Sequence, residues 1–367
     1  MWLEVGLAAA KGAFVLLMVL QLAGLLGWIE RKGSALVQDR IGANRAAIPL
    51  FGRPIAAAGL VNTLLADPIK FLTKEDVVPA GADRTLHTLA PAMTLFPVLL
   101  TFAVVPFGDV LRVGEYEIPL QVAPLDVGLL YVLAMVSLGV YGVVLGGWAS
   151  NNRWSLLGGI RGSAQMISYE LAMGLSVAAA VLVYGTLDLQ EISRAQGTEL
   201  AGWIPAWGIL YQPLGCLVFL VAGIAESKRI PFDLPEAESE LVSGYFTEYS
   251  GIKHLMFFMT DFVEIVLVSA LVTTLYLGGW QVPYLGRAGF VFPWGTEILL
   301  PHLVVVLLQV GAFTLKVLFL CWLQIMIRWT LPRFRYDQLI RLGWKGLLPV
   351  SLANLVATAV FLLVLEA

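Results

Sequence analysis

Eight long apolar segments constrain the fold of this chain more than any other feature of its sequence. Each is long enough for a helix to cross the roughly 30 Å of hydrocarbon in a bilayer. They lie at residues 5–29, 88–107, 127–148, 163–184, 204–225, 253–277, 298–327 and 347–365. Lipid offers no partner to a free backbone amide or carbonyl, so spanning segments of this kind are helical. The sequence therefore predicts an all-α integral membrane protein with eight transmembrane helices in one polytopic domain, residues 1–367.

Composition argues against a soluble protein and against a chain with its own redox centre. Hydrophobic residues make up 59% of the sequence and charged residues 13%, whereas about a quarter of a soluble chain is charged. The two cysteines, Cys216 and Cys321, lie in separate apolar segments and form no C-x-x-C motif, so neither a zinc nor an iron–sulfur site is predicted. No P-loop and no G-x-G-x-x-G motif opening a helix occurs. We expect a chain that binds no metal and no cofactor of its own.

The charges between the apolar segments predict the orientation of the chain. Of the 23 Lys and Arg residues, 18 lie in four connecting segments, residues 30–87, 149–162, 226–254 and 328–346. Basic loops remain on the cytoplasmic side, so we expect both termini in the periplasm of a bacterium. The segment 149–162 is short and Gly-rich, which predicts a turn between helices. The segment 328–346 is basic and typical of loops that meet anionic lipid headgroups.

Residues 54–74 predict a helix that lies in the membrane interface instead of crossing it. Asp67 and Lys70 fall on a polar face of this helix, and Leu64 falls on an apolar face. The pattern is too polar to span a bilayer but suits its surface. Pro68 lacks a backbone donor and is expected to kink or break the helix. On the residues alone, a plain amphipathic tether is the alternative.

Residues 226–252 concentrate acidic side chains between two apolar segments. Six acidic residues fall within the 24 residues from Glu226 to Tyr249. A carboxylate near a bilayer is costly unless it is paired, hydrated or protonated, and clustered carboxylates raise one another's pKa. The segment is therefore a candidate for storing and passing protons. The alternative is a solvated loop in which Asp233 and Glu236, which have capping-box spacing, begin a helix.

Among the ionisable residues within the predicted spans are Glu170, Asp261, Glu264 and Lys316. An ionisable group at that depth is expensive and usually functional. A structural ion pair with a neighbouring helix is the alternative for Glu170. Asp261 and Glu264 are three residues apart, so they lie close together on a helix. Two carboxylates this close are expected to share a proton as a coupled pair.

Several motifs give the chain a family resemblance over about its full length. The most specific is the run Pro231-Phe232-Asp233-Leu234-Pro235-Glu236-Ala237-Glu238. The others are Trp28-Ile29-Glu30-Arg31-Lys32, Asp39-Arg40-Ile41-Gly42-Ala43-Asn44-Arg45, Leu65-Ala66-Asp67-Pro68-Ile69-Lys70, Lys74-Glu75-Asp76, Asn151-Asn152-Arg153-Trp154-Ser155-Leu156-Leu157-Gly158-Gly159, Ile167-Ser168-Tyr169-Glu170 and Pro332-Arg333-Phe334-Arg335-Tyr336-Asp337-Gln338. Together they resemble the quinone-site membrane subunits of respiratory complex I, the proton-translocating NADH:quinone oxidoreductase.

The resemblance implies roles for two groups of residues. It implies a proton path of Glu170, Glu226, Glu236, Glu238, Glu240, Glu248, Asp261 and Glu264. It implies a quinone-binding group of Glu30, Arg31, Arg45, Asp67 and Lys70. On the residues alone, snorkelling and loop solvation are the alternative for the second group. No residue is given a catalytic role.

The resemblance also implies a substrate and partners. Quinone would enter between the first span, the sixth span and the interfacial helix. Iron–sulfur clusters and FMN would be held by partner subunits of complex I. The hydrophilic arm would dock on the cytoplasmic loops, and further membrane subunits would lie alongside in the bilayer. No nucleic-acid partner is expected.

Two departures from the family pattern affect the proton path. Some family members carry a glutamate in the third span where this chain has Ser137, so the route past that point stays open. The family commonly has Glu-Tyr where this chain has Asp261-Phe262, with Glu264 one turn further on.

Two other functions stay open at this point. One is the related membrane subunit of a membrane-bound hydrogenase, which uses no quinone; the nearly complete quinone motifs count against it. The other is an independent ion transporter, which would predict internal repeats with helices broken in mid-membrane. We find no such pattern in the sequence.

Overall fold

The computed structural model describes residues 2–42, 49–50, 53–54, 62–114, 116–200 and 203–366. The α-helices of this part of the chain are α1 (Trp2–Val37), α2 (Asp67–Thr73), α3 (Arg84–Thr101), α4 (Gly128–Ala149), α5 (Arg153–Tyr184), α6 (Leu189–Ala195), α7 (Gly208–Tyr211), α8 (Pro213–Glu226), α9 (Glu238–Leu241), α10 (Gly251–Tyr276), α11 (His302–Thr330), α12 (Tyr336–Arg341) and α13 (Leu348–Glu366). Short π-helical turns, Asn62–Ala66 and Leu342–Leu347, precede α2 and α13. Short 3₁₀ turns occupy Phe102–Val104 and Gly244–Phe246.

The described strands are short and pair as separate antiparallel hairpins between helices. They are β1 (Pro49–Leu50) with β2 (Arg53–Pro54), β3 (Val110–Val113) with β4 (Tyr116–Pro119), β5 (Glu199–Leu200) with β6 (Ile204–Pro205), and β7 (Gly289–Val291) with β8 (Glu297–Leu299). In the longest hairpin, Val110 lies opposite Pro119 and Val113 lies opposite Tyr116. The predicted all-α membrane class is confirmed.

Within the described residues, seven helical segments are long and apolar enough to cross a membrane. They are α1, α3 with its 3₁₀ turn, α4, α5, α10, α11 and the joined α12–α13. The multi-pass architecture is therefore confirmed, but the predicted count of eight is not.

The fifth predicted span, residues 204–225, does not form one long helix. α7 ends at Tyr211, and Gln212 has φ −132° and ψ 55°, outside the helical region. Pro213 then starts α8, because the first turn of a helix tolerates a residue without an N–H group. α8 has 14 residues and rises about 21 Å, which is less than the roughly 30 Å of hydrocarbon.

α5 begins at Arg153, well before the predicted start at residue 163, so the predicted turn at 149–162 is mostly helix. The side chain of Asn152 caps this helix by accepting a hydrogen bond from the second backbone amide after it. A Cβ atom on Gly158 would lie 2.7 Å from the backbone nitrogen of Tyr245. The glycines of this stretch thus let the connection between α8 and α10 pack directly on α5.

Gly142 and Gly146 of α4 lie at close contacts between helices. A Cβ atom on Gly142 would lie 2.4 Å from the side chain of Thr94 on α3, and one on Gly146 would lie 3.0 Å from the ring of Phe257 on α10. Small residues at these positions let the helices approach closely in a membrane.

The predicted interfacial helix, residues 54–74, is described only from Asn62 onward. The π-helical turn Asn62–Ala66 leads into α2, and Pro68 lies in the first turn of α2. The change of helix type directly before Pro68 agrees with the predicted break, because the proline cannot donate to the preceding turn. The π-helical turn packs against α1, and α2 packs against α10.

α10 is the most enclosed of the spanning helices. In α10, 78% of the most apolar 18-residue stretch is buried, whereas in α1 only 22% of the corresponding stretch is buried. It packs against α1, α3, α8 and α11. Polar side chains on α10 are therefore held away from lipid, in contact with neighbouring protein.

Candidate functional site

Lys228 is the centre of a buried ionic cluster. Its ammonium donates to both carboxylate oxygens of Glu264, at 2.8 and 3.0 Å, and lies 3.4 Å from Oδ1 of Asp261. The side chain of Lys228 is 1% exposed, and each carboxylate side chain is 4% exposed. The spacing of three residues on α10 turns both carboxylates towards the same ammonium.

The carboxylates keep Lys228 charged in this enclosed place. Burial alone would lower the pKa of Lys228, but the charges of Glu264 and Asp261 raise it above its ordinary value. Lys228 also has φ 54°, a left-handed conformation that is strained for a residue with a side chain. The prediction that Asp261 and Glu264 share a proton as a coupled pair did not include Lys228 as their counter-ion.

Glu226, the last residue of α8, is buried beside this cluster and forms no ion pair with any residue that the structure describes. The residue is 2% exposed, and neither carboxylate oxygen has a hydrogen-bond partner among the described residues. The carboxyls of Glu170 and Glu264 interact with it electrostatically. A buried carboxyl without a partner favours its protonated form, because the charged form is costly in a low-dielectric interior.

Glu170 lies in the middle of α5, where its carboxyl interacts electrostatically with Glu226. Its carboxyl group interacts with the hydroxyl of Ser137 on α4, and its Oε1 atom is buried without a partner among the described residues. Ser137 also donates to the carbonyl of Leu133 at 3.0 Å. The residue that departs from the family pattern is therefore a direct neighbour of Glu170.

Glu236 and Asp233 continue the cluster on the connection between α8 and α10. The Glu236 carboxyl is hydrogen-bonded with Asp261, and burial together with the Asp261 charge holds the pKa of Glu236 well above its ordinary value. Asp233 accepts a 2.6 Å hydrogen bond from Arg333. Ala237, which has no side-chain cap, precedes α9. The alternative that Asp233 and Glu236 begin a helix in a solvated loop is therefore wrong.

Three acids of the predicted proton path stand apart from the buried cluster. Glu240 is exposed and pairs with Arg161 at 2.7 Å. Glu248 accepts a hydrogen bond from the side chain of Asn152 at 2.5 Å. Glu238 begins α9, and its side chain lies outside what the structure describes.

Glu30, the most enclosed of the described members of the predicted quinone group, is held by two arginines. Its two carboxylate oxygens accept from Arg229 and Arg328, each at 2.6 Å. The guanidinium of Arg229 also stacks over the ring of Phe262, 3.8 Å from its centre. A void of about 10 Å³ between Glu30, Arg229 and Gln324 has room for about one water molecule.

The remaining quinone candidates lie at the surface where α1 meets the π-helical turn and α2. Arg31 and Asp67 form an exposed pair, with 3.4 Å between Nη1 and Oδ2. Lys70 is exposed one turn further along α2. Arg45 lies outside the described residues.

Sequence reasoning missed the cations that hold these acids. Lys228 and Arg229 lie two and three residues after Glu226, at the end of an apolar segment, which was the available signal. Arg328 and Arg333 were assigned to a loop that meets lipid headgroups, but they pair inside the protein with Glu30 and Asp233.

The described residues offer no group of three or more His, Cys, Asp and Glu side chains arranged to hold a metal ion. Cys216 and Cys321 are both buried and free. The chemistry available in the site is therefore that of carboxyls, an ammonium and guanidinium groups. Such groups bind and move protons but do not carry electrons.

The chain matches a known family and many of its members. The family model described as NADH dehydrogenase matches residues 10–359. The chain is 47% identical over 356 residues to an NADH-quinone oxidoreductase H subunit of Geobacter metallireducens, covering 97% of this chain and 96% of the relative. It is 43% identical over 357 residues to the NADH-quinone oxidoreductase H subunit of Thermomicrobium roseum, covering 96% of this chain and 95% of that relative.

A third relative is similar over almost the same length. An NADH-quinone oxidoreductase H subunit of Cytophaga hutchinsonii is 44% identical over 336 residues, which cover 92% of this chain and 91% of the relative. With the buried ionic cluster and the apolar helices, these matches assign the chain. It belongs to the NADH dehydrogenase family, whose bacterial members include the H subunits of NADH-quinone oxidoreductase.

Proposed function

We propose that this chain is the membrane subunit of complex I that forms the quinone-access cavity and couples quinone reduction to proton translocation. The observation that carries the proposal is a group of buried and half-buried ionisable side chains, from Glu236 to Glu170, whose members interact electrostatically. It passes through Asp261, Glu264 and Glu226, with Lys228 as its counter-ion. A purely structural ion pair would not need the unpartnered carboxyl of Glu226.

The proposed quinone entrance lies where α1 and α10 meet α2 and the π-helical turn that precedes it. Arg31, Asp67 and Lys70 give this rim charges of both signs close to an apolar surface. Reduction of quinone to quinol takes up two electrons and two protons. The electrons would come from iron–sulfur clusters and FMN on partner subunits, which dock on the loops that include the connection between α8 and α10.

The proposed coupling runs through neighbouring charges. Glu30 near the rim is bound to Arg229, and Arg229 is next in the chain to Lys228. A charge change at the quinone acts strongly on buried groups, because the interior screens it less than water does. Such a change would alter how tightly Lys228 holds Glu264 and Asp261. Their protonation, and then that of Glu226 and Glu170, would follow.

Beyond Glu170, protons would pass by Ser137 towards further membrane subunits. A serine hydroxyl both donates and accepts, so it can carry a proton between Glu170 and water although it stores none. The contact between the two side chains supports this role.

The break at Gln212 does not favour the ion-transporter alternative. Transporters break helices near mid-membrane, where the ends of half-helices bind the transported ion. Here the break is beside Tyr184, the last residue of α5, and so near the end of a spanning helix. The group of motifs around Glu30 and Asp67 likewise favours the quinone-linked subunit over a hydrogenase subunit.

The decisive experiment is Glu226→Gln in the assembled complex, reconstituted in proteoliposomes. The amide keeps the size and polarity of the carboxyl but cannot titrate. We expect normal assembly and a loss of proton pumping of about tenfold or more. Glu117→Gln is the matched control, because Glu117 is an exposed carboxylate paired with Arg112 on the β3–β4 hairpin. Pumping of Glu226→Gln at the wild-type rate would refute the proton path.

We also propose that the chain lies in the bacterial inner membrane with both termini in the periplasm. Tyr116 on β4 and Trp154 on α5 are exposed, and the native cysteines are buried. Tyr116→Cys should therefore react with an impermeant thiol reagent from the periplasm, and Trp154→Cys from the cytoplasm. The reverse labelling pattern would overturn the orientation.

A further inference from the structure

The ring of Phe262 on α10 is a second partner of the guanidinium of Arg229. The central carbon of the guanidinium lies 3.8 Å from the centre of the ring. This is well inside the roughly 6 Å within which an aromatic face attracts a cation. Phe262 is 1% exposed and Arg229 is 8% exposed. The attraction is stronger in such an enclosed place, because little water competes for the charge.

Neighbouring residues fix the position of this ring. The ring of Phe258, one turn earlier on α10, meets it edge to face, with 5.1 Å between the ring centres. On the side of α1, a Cβ atom on Gly27 would lie 3.7 Å from Cζ of Phe262. Both are ordinary packing distances. Turning the ring away from the guanidinium would therefore disturb contacts on two helices.

The guanidinium that Phe262 holds acts on three carboxyls. It donates to Glu30 at 2.6 Å, and its charge interacts with Glu236 and Glu264. Glu30 belongs to the proposed quinone group, whereas Glu236 and Glu264 belong to the proposed proton path. The position of Arg229 therefore affects both groups. In an interior that screens charge weakly, a small displacement of this guanidinium would change these interactions strongly.

An aromatic ring differs from a carboxylate because it cannot take up a proton. A carboxylate attracts a guanidinium much less once it is protonated. The electron-rich face of Phe262 exerts the same attraction at any physiological pH. Phe262 directly follows Asp261, and Arg229 directly follows Lys228. Since Lys228 and Asp261 are themselves in contact, the ring holds the guanidinium beside the ionic cluster whatever the charge of the acids.

We propose that Phe262 is a positioning residue for the coupling of quinone reduction to proton movement. It holds the guanidinium of Arg229 in one place while the three carboxyls around that guanidinium gain and lose protons. This inference rests on the proposed function of the chain. It adds to the coupling a residue that has no ionisable group and acts only through Arg229.

The test replaces Phe262 with fluorinated phenylalanines in the assembled complex, reconstituted in proteoliposomes. Fluorine withdraws electrons from the ring face and changes the size of the ring little. Monofluorophenylalanine should therefore weaken the attraction for the cation, and trifluorophenylalanine should nearly cancel it. We expect the number of protons pumped per quinone reduced to fall in steps, by about two- to tenfold with trifluorophenylalanine.

Trifluorophenylalanine in place of Phe313 on α11 is the matched control. Phe313 is 3% exposed and meets the ring of Phe107 edge to face. No cation of the described part of the chain lies over the Phe313 ring. The ratio of protons pumped to quinone reduced should therefore stay at the wild-type value. An equal loss at Phe313 and Phe262 would overturn the inference, and so would an unchanged ratio with trifluorophenylalanine at Phe262.

Two ordinary variants separate the ring face from its bulk. Phe262→Tyr keeps an aromatic face and should retain the wild-type ratio, whereas Phe262→Leu is apolar without such a face and should lower it. A wild-type ratio in Phe262→Leu would contradict the role of the ring.

Glu226→Gln in the same assay separates this inference from the proposed proton path. Lost pumping in Glu226→Gln, with an unchanged ratio in the Phe262 series, would overturn only the role of Phe262. A graded loss in the Phe262 series, with wild-type pumping in Glu226→Gln, would support that role and refute only the path through Glu226.

Discussion

Two lysines packed against α10 show two ways to hold an ammonium inside this protein. Lys228 is enclosed between the carboxylates of Glu264 and Asp261. Lys316, on α11, is half-buried beyond the other end of the helix, with the ring of Trp207 4.5 Å away. Its ammonium donates at 2.8 to 3.0 Å to the backbone carbonyls of Leu277, Gly279 and Gln281.

The difference between the two sites is whether the acceptors can titrate. The carboxylates around Lys228 exchange protons, so the charge of that site can change during turnover. The carbonyls around Lys316 cannot take up a proton at any physiological pH. They lie just past the C-terminus of α10, where the helix dipole also favours a cation. Lys316 therefore satisfies the sequence expectation of an ionisable residue in a span, but its surroundings suit a structural role.

Lys228→Met should have the largest effect of the changes compared here. It leaves two buried carboxylates without a counter-ion, and breaking a buried pair in this way costs about 3–5 kcal/mol. We expect little assembled complex, measured by native gel electrophoresis and thermal unfolding. Adding Glu264→Gln to Lys228→Met should restore part of the assembly, because one buried charge is removed. Wild-type amounts of the Lys228→Met complex would contradict the role of the ammonium.

Lys316→Met should separate stability from pumping. Three carbonyls lose their donor, at a cost of about 1–3 kcal/mol, so the melting temperature should fall. Proton pumping per assembled complex should stay at the wild-type value, because no carboxyl of the proposed proton path is lost. A pumping defect in fully assembled Lys316→Met complex would show that the two lysines do not differ as described.

Asp261→Asn and Glu264→Gln should each reduce pumping only in part, since Lys228 keeps one carboxylate in either variant. Glu264→Gln should have the larger effect, because Glu264 makes two bonds of 2.8 and 3.0 Å, whereas Asp261 is 3.4 Å away. The double variant leaves the ammonium unpaired, so it should reduce pumping by more than the two single effects combined. The coupling free energy between the two substitutions should be about 0.5–3 kcal/mol. Wild-type pumping in both single variants and the double variant would make the pair purely structural.

Glu240→Gln should have the smallest effect. Glu240 is exposed and its pair with Arg161 is screened by solvent, so the pair contributes at most about 1 kcal/mol. Assembly should be normal, and pumping should fall by about twofold if this exposed acid helps to relay protons. The readout is the ratio of pumping to quinone reduction. An unchanged ratio would leave Glu240 as a solvated surface residue.

Much of the fold follows from local sequence because a membrane restricts both the composition and the backbone conformation of each spanning segment. A spanning segment must be apolar and helical over its whole length, and hydropathy detects both requirements. The prediction of one continuous helix over residues 204–225 failed at Gln212. The predicted start of α5 at residue 163 was also wrong. In α5 the reason is long-range, because Gly158 packs on Tyr245 from a distant part of the chain.

The sequence by itself determined the membrane class, the family and which acidic residues are present. Only the tertiary structure decided how those acids are held. Lys228 meets Glu264 across 36 positions of the chain, and Glu30 meets Arg229 across 199. Both pairs depend on contacts of about 3 Å in a medium that screens charge weakly, where small changes in position alter the interaction strongly. Hydropathy and spacing contain no information about such contacts, so the acids were found from sequence and their counter-ions were not.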